Sequence, residues 1–204
     1  MDIMDLLKSQ ISGGLMDQLA NQVGGDKQQV EKATDGILHT LVGALAKNAS
    51  SNDGASMLSN VLDRDHDGSI LDDAMGFLTG NRQPANPRMT NGSGIVRHLL
   101  GDNQSAALNM VSKISGLDGS KAGSLMSMLA PIVMGTLGRQ KRQHGLDASG
   151  IASLLTNTVN THKQKTDNPL MSMVTSFLDA DGDGSIIDDL FSKGAKGLLG
   201  NLFK

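Results

Sequence analysis

Apolar residues recur at helical spacing over the segment from Asp26 to Asn48. Successive members lie three or four positions apart, except for one adjacent pair at the end, which places them on one face of a helix. They are Val30, Ala33, Ile37, Leu41, Ala44 and Leu45. Gln29 lies three positions after Asp26, which is the spacing of a capping box at a helix N-terminus. The pattern predicts one long helix that begins after Asp26.

A second apolar run begins at Asp118 and continues to the basic segment 139–144, which Gly145 follows. Basic residues followed by glycine are typical of a helix C-terminus. Pro131 lies inside the run and lacks the N–H group that a helix interior uses, so we expect it to bend this helix or to begin a new one. Because no segment alternates as a strand does, the sequence predicts an all-α protein.

The chain contains an internal repeat. A shift of 92 positions aligns residues 19–48 with residues 111–140 without a gap, and each half then ends in its own Asp-rich segment. Those segments are 116 positions apart, so the second half carries an insertion of 24 residues. The sequence thus predicts a multihelical bundle formed by two related halves. The predicted units are an N-terminal repeat over 1–80, a linker over 81–94 and a C-terminal repeat over 95–204.

Composition supports helices and removes several kinds of chemistry. Aromatic residues make up 2% of the chain, and Cys is absent. Strands depend on aromatic and β-branched side chains more than helices do. Without Cys there is no disulfide, thiolate metal site or cysteine nucleophile. The first residues lack the pattern of a secretion signal and no window has the length of a membrane span, so we expect a cytoplasmic protein.

The formal net charge of −3 conceals two strongly acidic segments. Residues 63–73 carry −4 and residues 179–189 carry −5, so the rest of the chain carries +6. Acidity is therefore concentrated at two places that would attract a cation, and the remainder of the chain is mildly basic.

Both acidic segments match the opening of a calcium-binding EF-hand loop. They read DRDHDGSILDDA over residues 63–74 and DADGDGSIIDDL over residues 179–190. In such loops alternate carboxylates converge on a hard cation, the glycine permits a sharp turn and the next residue donates its backbone carbonyl. The predicted ligands of Ca²⁺, or of Mg²⁺, are Asp63, Asp65, Asp67, Ser69, Asp72 and Asp73 in the first loop and Asp179, Asp181, Asp183, Ser185, Asp188 and Asp189 in the second.

Both loops depart from the motif at position 12. A bidentate Glu closes an EF-hand site, whereas this chain has Ala74 and Leu190. An Asp at position 10 or 11 would close the site if the following helix begins early. We expect the missing Glu to lower affinity and to reduce the preference for Ca²⁺ over Mg²⁺. Ile70 and Ile186, at position 8, are expected to be buried, and His66, at position 4, to be exposed.

Two other interpretations use the same residues. The Asp-rich segments can be solvated turns whose carboxylates cap the following helix. The basic segment 139–144, which reads RQKRQH, can contact phosphate, and this would make the chain a nucleic-acid-associated helical protein. No aromatic residue lies beside that segment to stack on bases. Nucleic acid is therefore the alternative partner, and a helix C-terminus is the simpler interpretation of the basic residues.

Three segments resemble the YidB-type family of uncharacterised bacterial proteins. They are DHDGSILDDAMGFL (65–78), SGIVRHLLG (93–101) and LAPIVMGTLGRQKRQHGLDASGIASLL (129–155). The resemblance implies a helical bacterial protein of unknown function and supplies no functional residues. The EF-hand likeness is separate from it and covers only the two loops.

No enzyme motif accompanies the loops. The chain has no phosphate-binding Gly-Lys-Ser/Thr loop, nucleophile elbow or helical zinc motif. The sequence thus predicts a non-enzymatic protein, without catalytic residues, in which Ca²⁺ or Mg²⁺ has a structural role. A protein partner is compatible with that role and is not identified by the sequence.

Overall fold

Short polar side chains define where several helices begin. Asp2, Asp26, Ser51 and Asp118 each accept a hydrogen bond from a backbone N–H group of the first helical turn. Each bond satisfies a donor that has no partner within its own helix. The predicted cap Asp26 is thus confirmed, and the second long helix begins after Asp118, where its apolar run begins.

The computed structural model describes residues 2–81 and 86–165, with side chains as far as residue 162. The second predicted loop, residues 179–190, lies outside the described residues. In chain order the helices are α1 (Ile3–Ile11), α2 (Gly14–Val23), α3 (Lys27–Asn48), α4 (Asn52–Asp65), α5 (Ala74–Leu78), α6 (Gly92–Leu100), α7 (Gln104–Ser115), α8 (Gly119–His144) and α9 (Ala148–Lys165), with 3-10 helices at Ser69–Asp73, Pro87–Thr90 and Gly101–Asn103. The described residues contain no strand, and the predicted all-α class is confirmed.

Three helices in the described part of the chain end at a glycine in the left-handed conformation. Gly24, Gly116 and Gly145 follow α2, α7 and α8 with φ of 64°, 77° and 60°. Other residues enter this region only with strain, so glycine closes these helices at the lowest cost. The predicted end of α8, after the basic segment 139–144, is confirmed.

Helix α8 passes through Pro131 without interruption. It extends from Gly119 to His144, and Pro131 is buried near its middle. The expectation that a new helix begins at this residue is wrong. An interior proline costs about 3 kcal/mol because it removes one backbone hydrogen bond and crowds the preceding turn. Packing of the surrounding turns against α3 and α6 holds the helix together despite that cost.

Helices α3 and α8 form the centre of the fold. Helix α3 packs against α7, α8 and α9, while α8 also packs against α1, α4 and α6. Leu41 and Leu45 of α3 lie in the same hydrophobic cluster as Leu129 and Val133 of α8. Side chains from both predicted halves therefore contribute to one core.

The two aligned segments share their local arrangement. Residues 19–48 and 111–140 each contain the end of a helix, a left-handed glycine, an aspartate cap and a long helix. The division of the whole chain into two related halves stays a prediction. Within the predicted linker 81–94, Pro87–Thr90 forms a 3-10 helix in which Met89 is buried.

Candidate functional site

The first Asp-rich loop joins α4 to α5 and turns at Gly68. Helix α4 ends at Asp65, so the predicted ligands Asp63 and Asp65 lie on its last turn. Gly68 has φ of +87°, the conformation that position 6 of the motif requires. The 3-10 helix Ser69–Asp73 follows and leads directly into α5.

The loop lies against the second half of α8. Ile70 is buried, as predicted, and its Cγ2 atom would lie 2.5 Å from a Cβ placed on Gly135. The carbonyl oxygen of His66 lies so close to Gly138 that a Cβ on this residue would overlap with it. Two glycines about one turn apart on α8 thus make room for the loop, Gly135 for the Ile70 side chain and Gly138 for the His66 carbonyl.

Three loop carboxylates pair with three basic residues near the C-terminus of α8, which we call the basic end of α8. The pairs are Asp63 with Lys141, Asp67 with Arg142 and Asp72 with Arg139. Arg139 also donates to the carbonyl oxygen of Gly68 at 2.8 Å, and Arg142 donates to that of Asp67. The acidic loop and the basic end of α8 therefore neutralise one another.

Asp65 is buried and faces a different set of partners. Its Oδ2 accepts hydrogen bonds from Arg64 at 2.7 and 3.0 Å, and its Oδ1 accepts one from Asn86 at 3.1 Å. The bond from Arg64 has the largest effect and holds the pKa of Asp65 below its ordinary value, although burial acts in the opposite direction. Asp65 thus connects the end of α4 to the start of the 3-10 helix Pro87–Thr90.

The remaining loop acids also have local partners. Asp67 accepts a hydrogen bond from the N–H group of Ser69 at 2.9 Å, and the bonds from Ser69 lower the pKa of its carboxyl group more than Arg142 does. Asp73 caps α5 by accepting from the N–H group of Gly76 at 2.9 Å. The acids at positions 10 and 11 are therefore engaged with Arg139 and with the start of α5.

The first loop has the donor chemistry of a cation site but not its geometry. Carboxylate oxygens are the ligands that Ca²⁺ and Mg²⁺ prefer. In residues 2–81 and 86–165, however, no three His, Cys, Asp or Glu side chains come together in a way that could hold a metal ion. Asp63, Asp67 and Asp72 turn towards the basic end of α8 instead. In this arrangement the loop does not fit a metal ion, and a cation would require these carboxylates to leave their ion pairs.

His66 is buried, contrary to the sequence-based expectation. Its residue is only 3% exposed, because the loop lies on α8 with the His66 carbonyl against Gly138. Burial lowers the pKa of the imidazole, with partial opposition from Asp65 and Asp67, which favours the neutral ring. Its Nδ1 atom has no hydrogen-bond partner in the described part of the chain.

Sequence reasoning missed the partner of the acidic loop. The sequence predicts a helix C-terminus or phosphate contacts for the basic segment 139–144, and it does not predict the pairing of this segment with residues 63–73. The sequence does contain a signal for this contact. Residues 63–73 carry a charge of −4, and residues 139–144 form the densest basic cluster of the chain. Opposite charge clusters attract one another, so complementarity would have suggested this contact.

Together, the fold and the loop define an all-helical protein with an acidic loop held on the basic end of α8. Each helix within residues 2–81 and 86–165 is too short or too polar to cross a membrane. The model of the family described as a bacterial protein of unknown function (DUF937) matches residues 5–140. The chain therefore belongs to this YidB-type family, as its sequence segments predicted. No curated protein and no solved structure matches the chain.

Proposed function

We propose that this protein is a non-enzymatic binding protein whose first Asp-rich loop takes Ca²⁺ or Mg²⁺ in competition with the basic end of α8. The pairing of three loop carboxylates with three basic side chains carries the proposal. Clustered carboxylates repel one another unless positive charge lies nearby. A divalent cation supplies that charge from within the loop and can replace Lys141, Arg142 and Arg139 in this role.

The exchange is accessible from solvent and has a modest cost. The side chains of Asp63 and Asp72 are 55% and 69% exposed, so a hydrated cation reaches them directly. Ion pairs at exposed positions contribute about 0–1 kcal/mol each. Three exposed pairs would cost up to about 3 kcal/mol, or roughly a hundredfold in apparent affinity, and the partial burial of Lys141, which is 11% exposed, raises that cost. Weak, structural binding also agrees with the absence of a Glu at position 12.

The repeat adds a second candidate site to the proposal. Residues 179–190 contain the same D-x-D-x-D-G motif. Positions 1, 3 and 5 of the motif are Asp179, Asp181 and Asp183 in this loop, and Asp63, Asp65 and Asp67 in the first loop. We expect the two loops to bind the same ion because their donor sets are alike.

Calorimetric titration of the chelator-stripped full chain with Ca²⁺ and with Mg²⁺ tests this proposal. We expect saturable heat with a dissociation constant below the millimolar range, reduced by Asp63→Ala and abolished when Asp179→Ala is added. Asp53→Ala and Asp102→Ala, which remove exposed aspartates outside the loops, serve as controls and should leave the heat unchanged. Absence of saturable heat below millimolar cation would reject the proposal.

The nucleic-acid alternative depends on the same basic residues. The acidic loop occupies the basic end of α8 much as a phosphate backbone would, so this surface is available to DNA only when the loop carboxylates are drawn away. A mobility shift of DNA that needs Ca²⁺ and low salt, and that is lost in the triple variant Arg139→Ala, Lys141→Ala and Arg142→Ala, would support the alternative. No shift at low salt with or without Ca²⁺ would remove it.

A further inference from the structure

The first loop packs on α8 at positions that have counterparts on α3. On α8, two glycines make room for the Ile70 side chain and the His66 carbonyl, and the basic residue that follows them pairs with Asp72. The shift of 92 positions that aligns the two long helices pairs Gly135 with Gly43, Gly138 with Ala46 and Arg139 with Lys47. Helix α3 thus has two small residues followed by a basic one at the positions where α8 holds the first loop.

These residues of α3 lie on one face of the helix. Gly43 and Lys47 follow His39 at intervals of four positions, and Ala46 lies three positions after Gly43. Gly43 is buried, as the matching glycine of α8 is. Lys47 is exposed, and in the described part of the chain no ion pair or side-chain hydrogen bond reaches its amine. This basic residue therefore lacks the carboxylate partner that its counterpart on α8 has.

Helix α9 ends beside this face. The ring centroid of His162, in the last turn of α9, lies 5.4 Å from that of His39. Gly43 is one helical turn beyond His39, about 6 Å along α3. Thirteen residues, 166–178, connect α9 to the second Asp-rich loop, and a chain of this length can span up to about 43 Å. The second loop is therefore within reach of Gly43 and of the basic residue that follows it.

The second Asp-rich loop carries the side chains that this face would accept. It occupies residues 179–190, which lie outside the described residues, and a shift of 116 positions aligns it with the first loop. The alignment gives Ile186 the place of the buried Ile70, and Asp188 that of Asp72. The second loop has a net charge of −5, so the unpaired basic residue of the face attracts it.

The closest contact of the first loop has a matching change in the second. The carbonyl at loop position 4, from His66, lies against Gly138, which has no Cβ. The counterpart of Gly138 on α3 is Ala46, whose Cβ occupies that space, and position 4 of the second loop is Gly182. Glycine adopts backbone conformations that are closed to other residues, so the second loop can adjust around the Cβ of Ala46.

We propose that the second Asp-rich loop docks on this face of α3, with Ile186 against Gly43 and Asp188 paired with Lys47. Each loop then lies on the long helix of the opposite half of the chain, since the first loop lies on α8. The exchange is reciprocal and ties the two halves together. It does not require a bound cation.

The two docked loops would differ in the number of their basic partners. The same shift of 92 positions pairs Lys141 with Ala49 and Arg142 with Ser50. Helix α3 therefore offers one basic side chain where α8 offers three, so a cation entering the second loop displaces fewer ion pairs. This consequence rests on the proposed cation binding and makes the second loop the tighter of the two sites.

Calorimetry assigns the tighter site. The higher-affinity phase of the Ca²⁺ titration should be lost in Asp179→Ala and kept in Asp63→Ala, and the opposite assignment would contradict the arrangement on α3. Absence of saturable heat in the wild type would reject cation binding, whereas the docking is decided separately by cross-linking.

Cross-linking of the full chain in the presence of a chelator tests the docking without any cation. The chain has no Cys, so two introduced thiols are the only ones present. The test pair is Lys47→Cys with Asp188→Cys, and the reference pair is Arg139→Cys with Asp72→Cys, at residues that contact each other. A short bismaleimide joins the thiols, and mass spectrometry of tryptic peptides measures the rate of cross-linking within one chain.

The matched control is Lys32→Cys with Asp188→Cys. Lys32 is also an exposed lysine of α3, and it lies about 22 Å from Lys47 along the helix axis. We expect the test pair to react at about the rate of the reference pair. It should react at least about tenfold faster than the control pair, because docking raises the effective concentration of the two thiols.

A further variant examines the space above Gly43. Gly43→Ala, added to the test pair, should slow the cross-link several-fold, because the new Cβ occupies the place proposed for Ile186. Gly36→Ala is its control on α3, since the Cβ would meet only Val111, at 3.9 Å, and it should leave the rate unchanged. Circular dichroism checks that both variants keep the helical fold.

Three results would overturn the docking. The first is a test pair that reacts no faster than the control pair at Lys32. The second is an equal rate in Gly43→Ala and Gly36→Ala, because the loop would then not lie on Gly43. The third is cross-linking only between chains, in a fraction that grows with protein concentration, which would assign this face of α3 to the loop of a second copy.

Discussion

The carbonyl oxygen of His66 lies against the Cα atom of Gly138, with no space between them for a side chain. This contact joins the end of α4 to the last third of α8 and sets the position of the whole first loop. It places the loop carboxylates beside the basic end of α8 and removes the His66 ring from solvent. Gly138 is therefore one of the two glycines of α8 on which the arrangement of the candidate site depends.

Replacement of Gly138 should displace the loop. We expect Gly138→Ala to lower the free energy of unfolding by about 2 kcal/mol, because a Cβ overlapping with the His66 carbonyl forces the backbone apart. Gly123→Ala is the matched control on α8, since its Cβ would meet only Leu108, at 3.8 Å. That variant should be neutral or up to about 1 kcal/mol more stable, because alanine favours the helix. Urea unfolding followed by circular dichroism measures both, and equal effects would contradict the contact.

Much of the fold could be predicted because its signals are local. The caps at Asp26 and Asp118 and the glycine after the basic segment 139–144 follow from the chemistry of helix ends, and the structure has them at these residues. The turn at Gly68 and the burial of Ile70 were likewise contained in the loop motif. Each of these features depends on residues within a few positions of one another.

The remainder depends on contacts between distant parts of the chain. The continuity of α8 through Pro131 results from packing on neighbouring helices, which the residue itself does not encode. The burial of His66 results from its contact with Gly138, 72 positions further along the chain. The pairing of Asp63 with Lys141 has the same non-local origin. A loop motif predicts its own turn, whereas the surface that it covers is determined by tertiary structure.

Removal of a basic partner should strengthen cation binding if the proposed competition occurs. Lys141→Gln releases Asp63 from its ion pair, so we expect the affinity for Ca²⁺ to rise at least about two- to fivefold, because an exposed ion pair is worth up to about 1 kcal/mol and Lys141 is only 11% exposed. Lys121→Gln, at the start of α8 and away from the loop, is the charge-matched control and should leave the affinity unchanged. Calorimetry measures both variants. Weaker binding in Lys141→Gln would show that Lys141 supports the site rather than competes for it.

The cap of α8 offers a test that is independent of the loop. Asp118 accepts a hydrogen bond from the N–H group of Lys121 at 2.9 Å, and Asp118→Ala leaves that donor without its side-chain partner. We expect the variant to be about 1 kcal/mol less stable in urea unfolding. Asp118→Asn keeps an acceptor oxygen at the cap and should lose much less. If both variants lost the same stability, the negative charge rather than the hydrogen bond would account for the effect.

The His39 ring of α3, which packs against His162 of α9, makes the stability depend on pH. The His39 ring is largely buried, its Nδ1 lies 2.8 Å from the carbonyl oxygen of Asp35, and its ring centroid is 5.4 Å from that of His162. Burial is the largest influence and lowers the pKa of His39. The hydrogen bond to the Asp35 carbonyl and the Asp35 charge oppose this shift, while Lys8 and His162 add to it.

Acidification from pH 7 to pH 5 should therefore destabilise the protein. An unfolded histidine binds a proton below about pH 6.5, whereas native His39 resists protonation because its pKa is lowered. The unfolded state then binds more protons than the native state, so the free energy of unfolding falls as the pH falls through this range. Urea unfolding at a series of pH values should show a smaller slope for His39→Gln than for the wild type. Equal slopes for the wild type and His39→Gln would exclude His39 as the cause.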